Sequence, residues 1–279
     1  MRDLDGRSYL VTGGNTGIGR ATVAGLAGRG AQVYLACRSA EKGRAAAAEI
    51  TTATGNPAIR VLPLDLARLD SVRSCAAAVR ELGQPLHGLI NNAGLPGRRG
   101  RQTADGFELA FGVDHLGHFA LTTALLDCLT AGAPARVVTV SSGAHFQAPG
   151  IDFGALQRPG RSITGLPEYA VAKLCNVLFS QELARRLTGT RVTTYVLHPG
   201  VVASDIWRRV PWPARPLLTR RMLSTEQGAR TSLFCATDPA VAAASGRYYE
   251  NCGERPPSPV ATPELAAELW QRSEEWTAH

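Results

Sequence analysis

Short apolar, β-branched runs alternate along the chain with longer stretches whose apolar residues return at helical spacing. Ser8–Thr12, Gln32–Cys37, Ile59–Pro63, Gly88–Asn91, Arg136–Ser141 and Arg191–Leu197 read as strands. Gly17–Arg29, Ala40–Thr54 and Leu69–Leu82 read as helices, joined by a long helical stretch over 104–130 and another over Pro167–Thr188. Strands that are apolar on both sides and separated by helices need right-handed crossovers. The pattern therefore predicts a doubly wound α/β domain, its parallel sheet of about seven strands covered on both faces if Gly246–Tyr249 supplies the last. Gly30 and Gly55-Asn56-Pro57 stand where helices should stop, and Asp65 and Ser71 where the third should begin. Gly143–Gly165, rich in Gly and Pro, and Val201–Leu223, broken by Pro211-Trp212-Pro213 and Pro216, interrupt the rhythm.

At 279 residues, 44% hydrophobic and 19% charged, the chain is long enough for one large core, and a single domain over 1–279 is expected. The opening segment Met1–Arg7 is charged, and no window approaches the roughly 18 apolar residues of a membrane span, so a cytoplasmic protein is expected. The cysteines (Cys37, Cys75, Cys128, Cys175, Cys235, Cys252) form no C-x-x-C pair and read as free thiols. The net charge of +7 comes from scattered arginines without interleaved aromatics, which argues against a nucleic-acid partner.

Thr12-Gly13-Gly14-Asn15-Thr16-Gly17-Ile18-Gly19 joins the first strand to the first helix. Glycines there bring bare backbone to a dinucleotide pyrophosphate, and the helix N-terminus favours its charge; alone, such a loop also suits any tight turn. At the end of the second strand, where a carboxylate would bind the ribose hydroxyls of NAD, the chain reads Ala36-Cys37-Arg38. A guanidinium matches a 2′-phosphate, so NADP(H) is preferred as cofactor.

Tyr169 and Lys173 lie four apart at the start of a helix and so share a face. The chain has only two lysines, Lys42 and Lys173, among 30 basic residues, so a lysine at this place calls for a reason. A free phenol ionises near pH 10, and a neighbouring ammonium favours phenolate, which suits a proton donor and acceptor. Ser141-Ser142 closes a strand at the sheet edge where such folds bind ligands, and a hydroxyl there can steady a developing oxyanion or simply form a turn.

Taken in order, Thr12-Gly13-x-x-x-Gly17-x-Gly19, Asn91-Asn92-Ala93-Gly94, Ser142, Tyr169-x-x-x-Lys173 and His198-Pro199-Gly200 resemble the motifs of the short-chain dehydrogenase/reductase family, a Rossmann fold. Val33–Arg38, His115-Leu116-Gly117-His118-Phe119, Gln181–Leu187 and Val192–Val202 are similar to its retinol dehydrogenase branch. The resemblance implies catalysis by Ser142, Tyr169 and Lys173. It implies that Asp65 and Leu66 contact the adenine, that Asn92, Ala93 and Gly94 support the cofactor, and that Pro199, Gly200 and Val202 border the nicotinamide. Metal-free hydride transfer and a homo-oligomer follow from the same likeness, and His115 and His118 read as packing or capping rather than as metal ligands.

Two departures stand out. Asp114 occupies a place where the family carries Asn, whose backbone helps hold a water linking the lysine to solvent; a carboxylate there is expected to alter the proton relay. The charged start replaces the apolar anchor of membrane-bound members of the branch, so retinoid is not the expected substrate. A lid over about 201–223, carrying Ile206, Trp207 and Trp212, would admit a hydrophobic ketone or aldehyde: a lipid aldehyde, a steroid-like ketone or a polyketide intermediate. The expected activity is that of an NADPH-dependent ketoreductase or alcohol dehydrogenase. A same-fold epimerase, dehydratase or cyclase and a non-catalytic NADP(H) sensor are the alternatives.

Overall fold

A computed structural model describes residues 2–202 and 223–278. Seven parallel strands, β1 (Ser8–Thr12), β2 (Gln32–Cys37), β3 (Ile59–Pro63), β4 (Gly88–Asn91), β5 (Ala135–Val140), β6 (Val192–His198) and β7 (Arg247–Glu250), form the sheet. An eighth, β8 (Gly253–Arg255), pairs antiparallel with β7. Their order is β3-β2-β1-β4-β5-β6-β7-β8. The chain winds outward from β1 to β3, then crosses to β4 and winds the other way. A crevice therefore opens beyond the carboxyl ends of β1 and β4.

Alternating residues of the same strands feed two cores. On one face Leu10, Tyr34, Leu62, Leu89 and Val137 pack with α3 (Leu69–Glu81), α5 (Gly117–Ala124) and α7 (Leu166–Arg186), through Val72, Phe119 and Phe179. On the other, Tyr9, Val11, Val33, Leu35, Ile90 and Val138 pack with α1 (Gly17–Gly28), α2 (Ala40–Thr54) and α8 (Thr225–Thr237), through Val23, Leu26, Ile50 and Cys235. The period of two in the strands thus becomes two buried faces, each apolar side chain contributing about 1.5–3 kcal/mol. All six cysteines are free.

The structure corrects one expectation and adds two features. The helical stretch over 104–130 is not continuous: it comprises α4 (Leu109–Phe111), a π-helical turn Gly112–Leu116, α5, and α6 (Leu126–Ala131). It starts late because the buried Glu108 caps α4, accepting from Phe111 N at 2.8 Å. The sheet gains β8 through a turn at Asn251 and Cys252, both at positive φ. Third, two helices were not foreseen. Ser224 and Gln227 form a capping box that starts α8, and Thr262 with Pro263 starts α9 (Pro263–Thr277), whose Trp270 packs on Phe179. Asp65 N–H donates to Ser71 Oγ, in the first turn of α3, at 3.0 Å, but Leu69 N–H is capped from a distance by Asp105. No helix among the described residues is long and apolar enough to cross a membrane.

Candidate active site

The glycine turn after β1 is shaped by two different demands. Gly19 allows α1 to approach the turn itself, since a Cβ there would collide with the Gly13 carbonyl and lie 2.5 Å from Asn92 Nδ2. Gly17, at φ +53, faces open space at the start of α1. Steric crowding explains the first glycine and the positive φ the second, whose open side beside a helix N-terminus leaves room for an anion such as a pyrophosphate. Asn92 ties β4 to the cradle: its Nδ2 donates to Thr12 O at 2.8 Å, while Asn92 N and Ala93 N donate to Thr12 Oγ1. Arg38 is exposed just past β2. Asp65 is half-buried, its Oδ1 accepting from Ala67 N, and Leu66 lies against Gly117 of α5.

Tyr169 and Lys173 stand one turn apart on α7, with Lys173 Nζ 5.3 Å from the centroid of the tyrosine ring. Lys173 Nζ donates to Val140 O at 3.2 Å, and Asn176 Nδ2 donates to the same carbonyl, pinning α7 to the end of β5. Ser141 Oγ adds a third tie, donating to Lys173 O. Asp114, in the π-helical turn, places Oδ2 3.0 Å from Lys173 Nζ, the two side chains being 0% and 3% exposed. Asp114 Oδ1 accepts from Leu95 N at 2.8 Å. Burial opposes charge on Lys173, but Asp114 and then Tyr169 outweigh it and hold the ammonium above the ordinary lysine range. Burial raises the Asp114 carboxyl, with Lys173 and the Leu95 N–H pulling the other way.

The start of α7 is set by two glycines back to back. Gly165, at φ +71, leaves no room for a Cβ against the Gly97 backbone, and Gly97 N donates to Gly165 O. The loop leaving β4 is thereby held against the tyrosine's helix. Glu168 fastens the preceding loop by accepting from Arg161 N and Ser162 N, both at 2.8 Å, and from Ser162 Oγ. Ser142 lies just past β5, half-buried, its Oγ accepting from Ala144 N at 3.2 Å. That bond uses a lone pair and leaves the hydroxyl proton to donate outward. The Ser142 carbonyl accepts from His145 Nδ1 at 2.7 Å, and His145 Nε2 accepts from Ser258 N.

His118 is a connection that sequence reasoning missed. Its Nδ1 donates to Asp114 O at 2.9 Å, which leaves Nε2 to accept from the Thr12 hydroxyl at 2.8 Å, an assignment made from the partners. The ring thus joins the cofactor cradle to the lysine's partner. Burial pushes it down to about 4, so it is neutral at pH 7. Its i, i+4 spacing to Asp114 was visible in the sequence, but the contact with Thr12 was not. Among the described residues no group of three or more metal-ligating side chains forms a metal site.

Pro199 and Gly200 follow β6, and Val202 is buried. Val202 pairs with Leu223, and Leu223 N donates to Val201 O at 2.9 Å. Gly228 of α8 approaches both Val202 and Ile18, so two of the expected cofactor neighbours converge across the crevice. The expected lid residues Ile206, Trp207 and Trp212 lie outside the described residues.

A crevice at the switch point of a doubly wound sheet, with this tyrosine and lysine on one edge, defines a Rossmann-like oxidoreductase. The chain belongs to the short-chain dehydrogenase/reductase family: the family's sequence model, described as short chain dehydrogenase, matches residues 7–212. It is 45% identical over 276 residues to human retinol dehydrogenase 12, covering 97% of this chain and 86% of that protein. A crystal structure of an uncharacterized protein from Mycobacterium paratuberculosis aligns with a TM-score of 0.80 at 33% identity, covering 99% of this chain and 94% of the other. RhlG from Pseudomonas aeruginosa, solved as an NADP active-site complex, aligns with a TM-score of 0.69 at 28% identity, covering 88% and 94%.

Proposed function

We propose that this chain is an NADPH-dependent ketoreductase or alcohol dehydrogenase acting on a hydrophobic ketone or aldehyde and the corresponding alcohol. The observation that carries the reading is the placement of Lys173 Nζ 5.3 Å from the Tyr169 ring, at the carboxyl end of β5 just past which Ser142 lies. NADPH, when bound, supplies the hydride. Tyr169 gives its hydroxyl proton to the substrate oxygen in reduction and recovers it in oxidation. The Ser142 hydroxyl donates to the same oxygen as charge builds on it. Lys173 has three donors: one goes to Val140 O while the ammonium lies 3.0 Å from Asp114 Oδ2, which leaves a donor that suits a ribose hydroxyl.

Gly13, Asn15, Thr16, Gly17, Ile18 and Gly19 would cradle the phosphates, and Arg38 would take the 2′-phosphate. Asp65 and Leu66 would meet the adenine; Asn92, Ala93, Gly94, Pro199, Gly200 and Val202 would flank the nicotinamide side. The NADP complex of RhlG supports the preference for the phosphorylated cofactor. Ile206, Trp207 and Trp212 are proposed to cover the substrate, and a cytoplasmic location and a homo-oligomer belong to the same proposal.

The test is consumption of NADPH against a panel of hydrophobic aldehydes and ketones, with NADH in parallel. Tyr169→Phe is expected to bind NADPH as before and to lose turnover by roughly 10³-fold. Undiminished turnover in that variant sinks the assignment, and equal use of NADH sinks the role given to Arg38.

A further inference from the structure

A buried carboxylate on the lysine is a chemical feature that the proposed activity does not itself require. An ammonium beside a phenol favours phenolate; a carboxylate on that ammonium cancels part of its field. Asp114 and Lys173 are 3.0 Å apart and excluded from water, so little solvent screening intervenes. We propose that Asp114 is a positioning residue which acts through Lys173 to set the pH range of proton exchange at Tyr169, holding it higher than an uncompensated lysine would. This rests on the oxidoreductase reading above.

Among the described residues, Asp114 is the charged group paired with Lys173. From α5, His118 faces the pair but is neutral at pH 7, and from the π-helical turn His115 is neutral as well. Glu108, capping α4, feels both Asp114 and Glu168, but burial raises its carboxyl, and Glu168 is occupied by Ser162 and Arg161. The Ser142 side contributes His145 and His198, both depressed by burial. β5 and the loop after β4 contribute neutral backbone groups, Val140 O and Leu95 N. Gly94 lies against this pair, where a Cβ would sit 3.0 Å from both Asp114 Oδ2 and Lys173 Nζ, so the backbone is close enough to keep it covered.

Asp114→Asn removes the charge and keeps the shape. In the oxidative direction, the rising limb of kcat/KM against pH is expected to move to lower pH by about one unit, since a neighbouring charge shifts a titration by about one to three. Asp114→Glu keeps the charge and is expected to leave the limb near its original place, whatever its turnover. Asp114→Ser carries the same expectation as Asp114→Asn and serves if the first variant does not fold. A second readout uses the protein without cofactor: tyrosinate absorbance is followed against pH in the wild type and in Asp114→Asn, each minus its Tyr169→Phe counterpart. Tyr9, Tyr34, Tyr195, Tyr248 and Tyr249 are all pushed up by burial, so they leave the early part of that titration clear. A tyrosinate midpoint that falls in Asp114→Asn supports the proposal; one that stays or rises overturns it, as does an unmoved kinetic limb. Should no alcohol or carbonyl turn over in the wild type, the oxidoreductase reading fails, while the absorbance titration still judges Asp114.

Discussion

At the end of β1 the chain is held by neutral groups: Thr12 gathers two backbone N–H donors and the Asn92 amide, and Gly19 closes on the Gly13 carbonyl. At the start of α7, on the same crevice, the fixed point is a buried ammonium against a buried carboxylate. The first arrangement contains no ion pair and, at Gly19, has no room for an added atom. The second tolerates small changes of shape and depends on charge. Cradle and proton site should therefore fail to different insults, although His118 touches both.

The largest expected loss is on the charged side. Lys173→Met leaves Asp114 buried without its partner and should cost about 3–5 kcal/mol in urea unfolding at pH 7. Because burial raises the Asp114 carboxyl, protonation relieves that variant, and the deficit should shrink as pH falls. A deficit independent of pH would show that the pair is not held by charge. Next in size, Gly19→Ala should cost about 3 kcal/mol by overpacking and weaken NADPH binding, with no pH dependence. Calorimetric titration and unfolding at two pH values check both parts. A stable Gly19→Ala protein with unchanged binding would remove the contrast.

The smallest effect concerns His115, which packs among Phe111, Phe119 and Phe179 and donates from Nε2 to Ser273 Oγ on α9. Burial depresses it from 6.5 to about 3, so the fold favours its neutral form. That stability is complete above about pH 6.5 and is lost as pH falls toward 3. Between pH 7 and 5 the share of His115 is about 2 kcal/mol, which His115→Phe should abolish from the slope of stability against pH. An unaltered slope would assign the loss to other groups.

The strands and the first three helices were legible because their apolar residues obey one period each. The stretch over 104–130 was not, because a π-helical turn keeps helical composition while shifting register, and nothing local announces it. The start of α9 was announced by Thr262-Pro263 and went unread, its amphipathic face having meaning only against α7. Tyr169 and Lys173 were legible from spacing and from the scarcity of lysine. The ties of Lys173 to Val140 and Asp114 join residues far apart in the chain and depend on how the sheet is wound. Ser142 was read as an oxyanion donor or a turn former, and its hydroxyl does cap a turn while keeping a proton to give.

The bridge between Val202 and Leu223 closes the chain on itself beside Gly200. Val202 also meets Gly228 of α8, which in turn meets Ile18, so the chain after β6 and the start of α1 share one fixed point. Gly228 is thus a shared linchpin: a bulkier side chain at that one position would press on both flanks of the crevice at once.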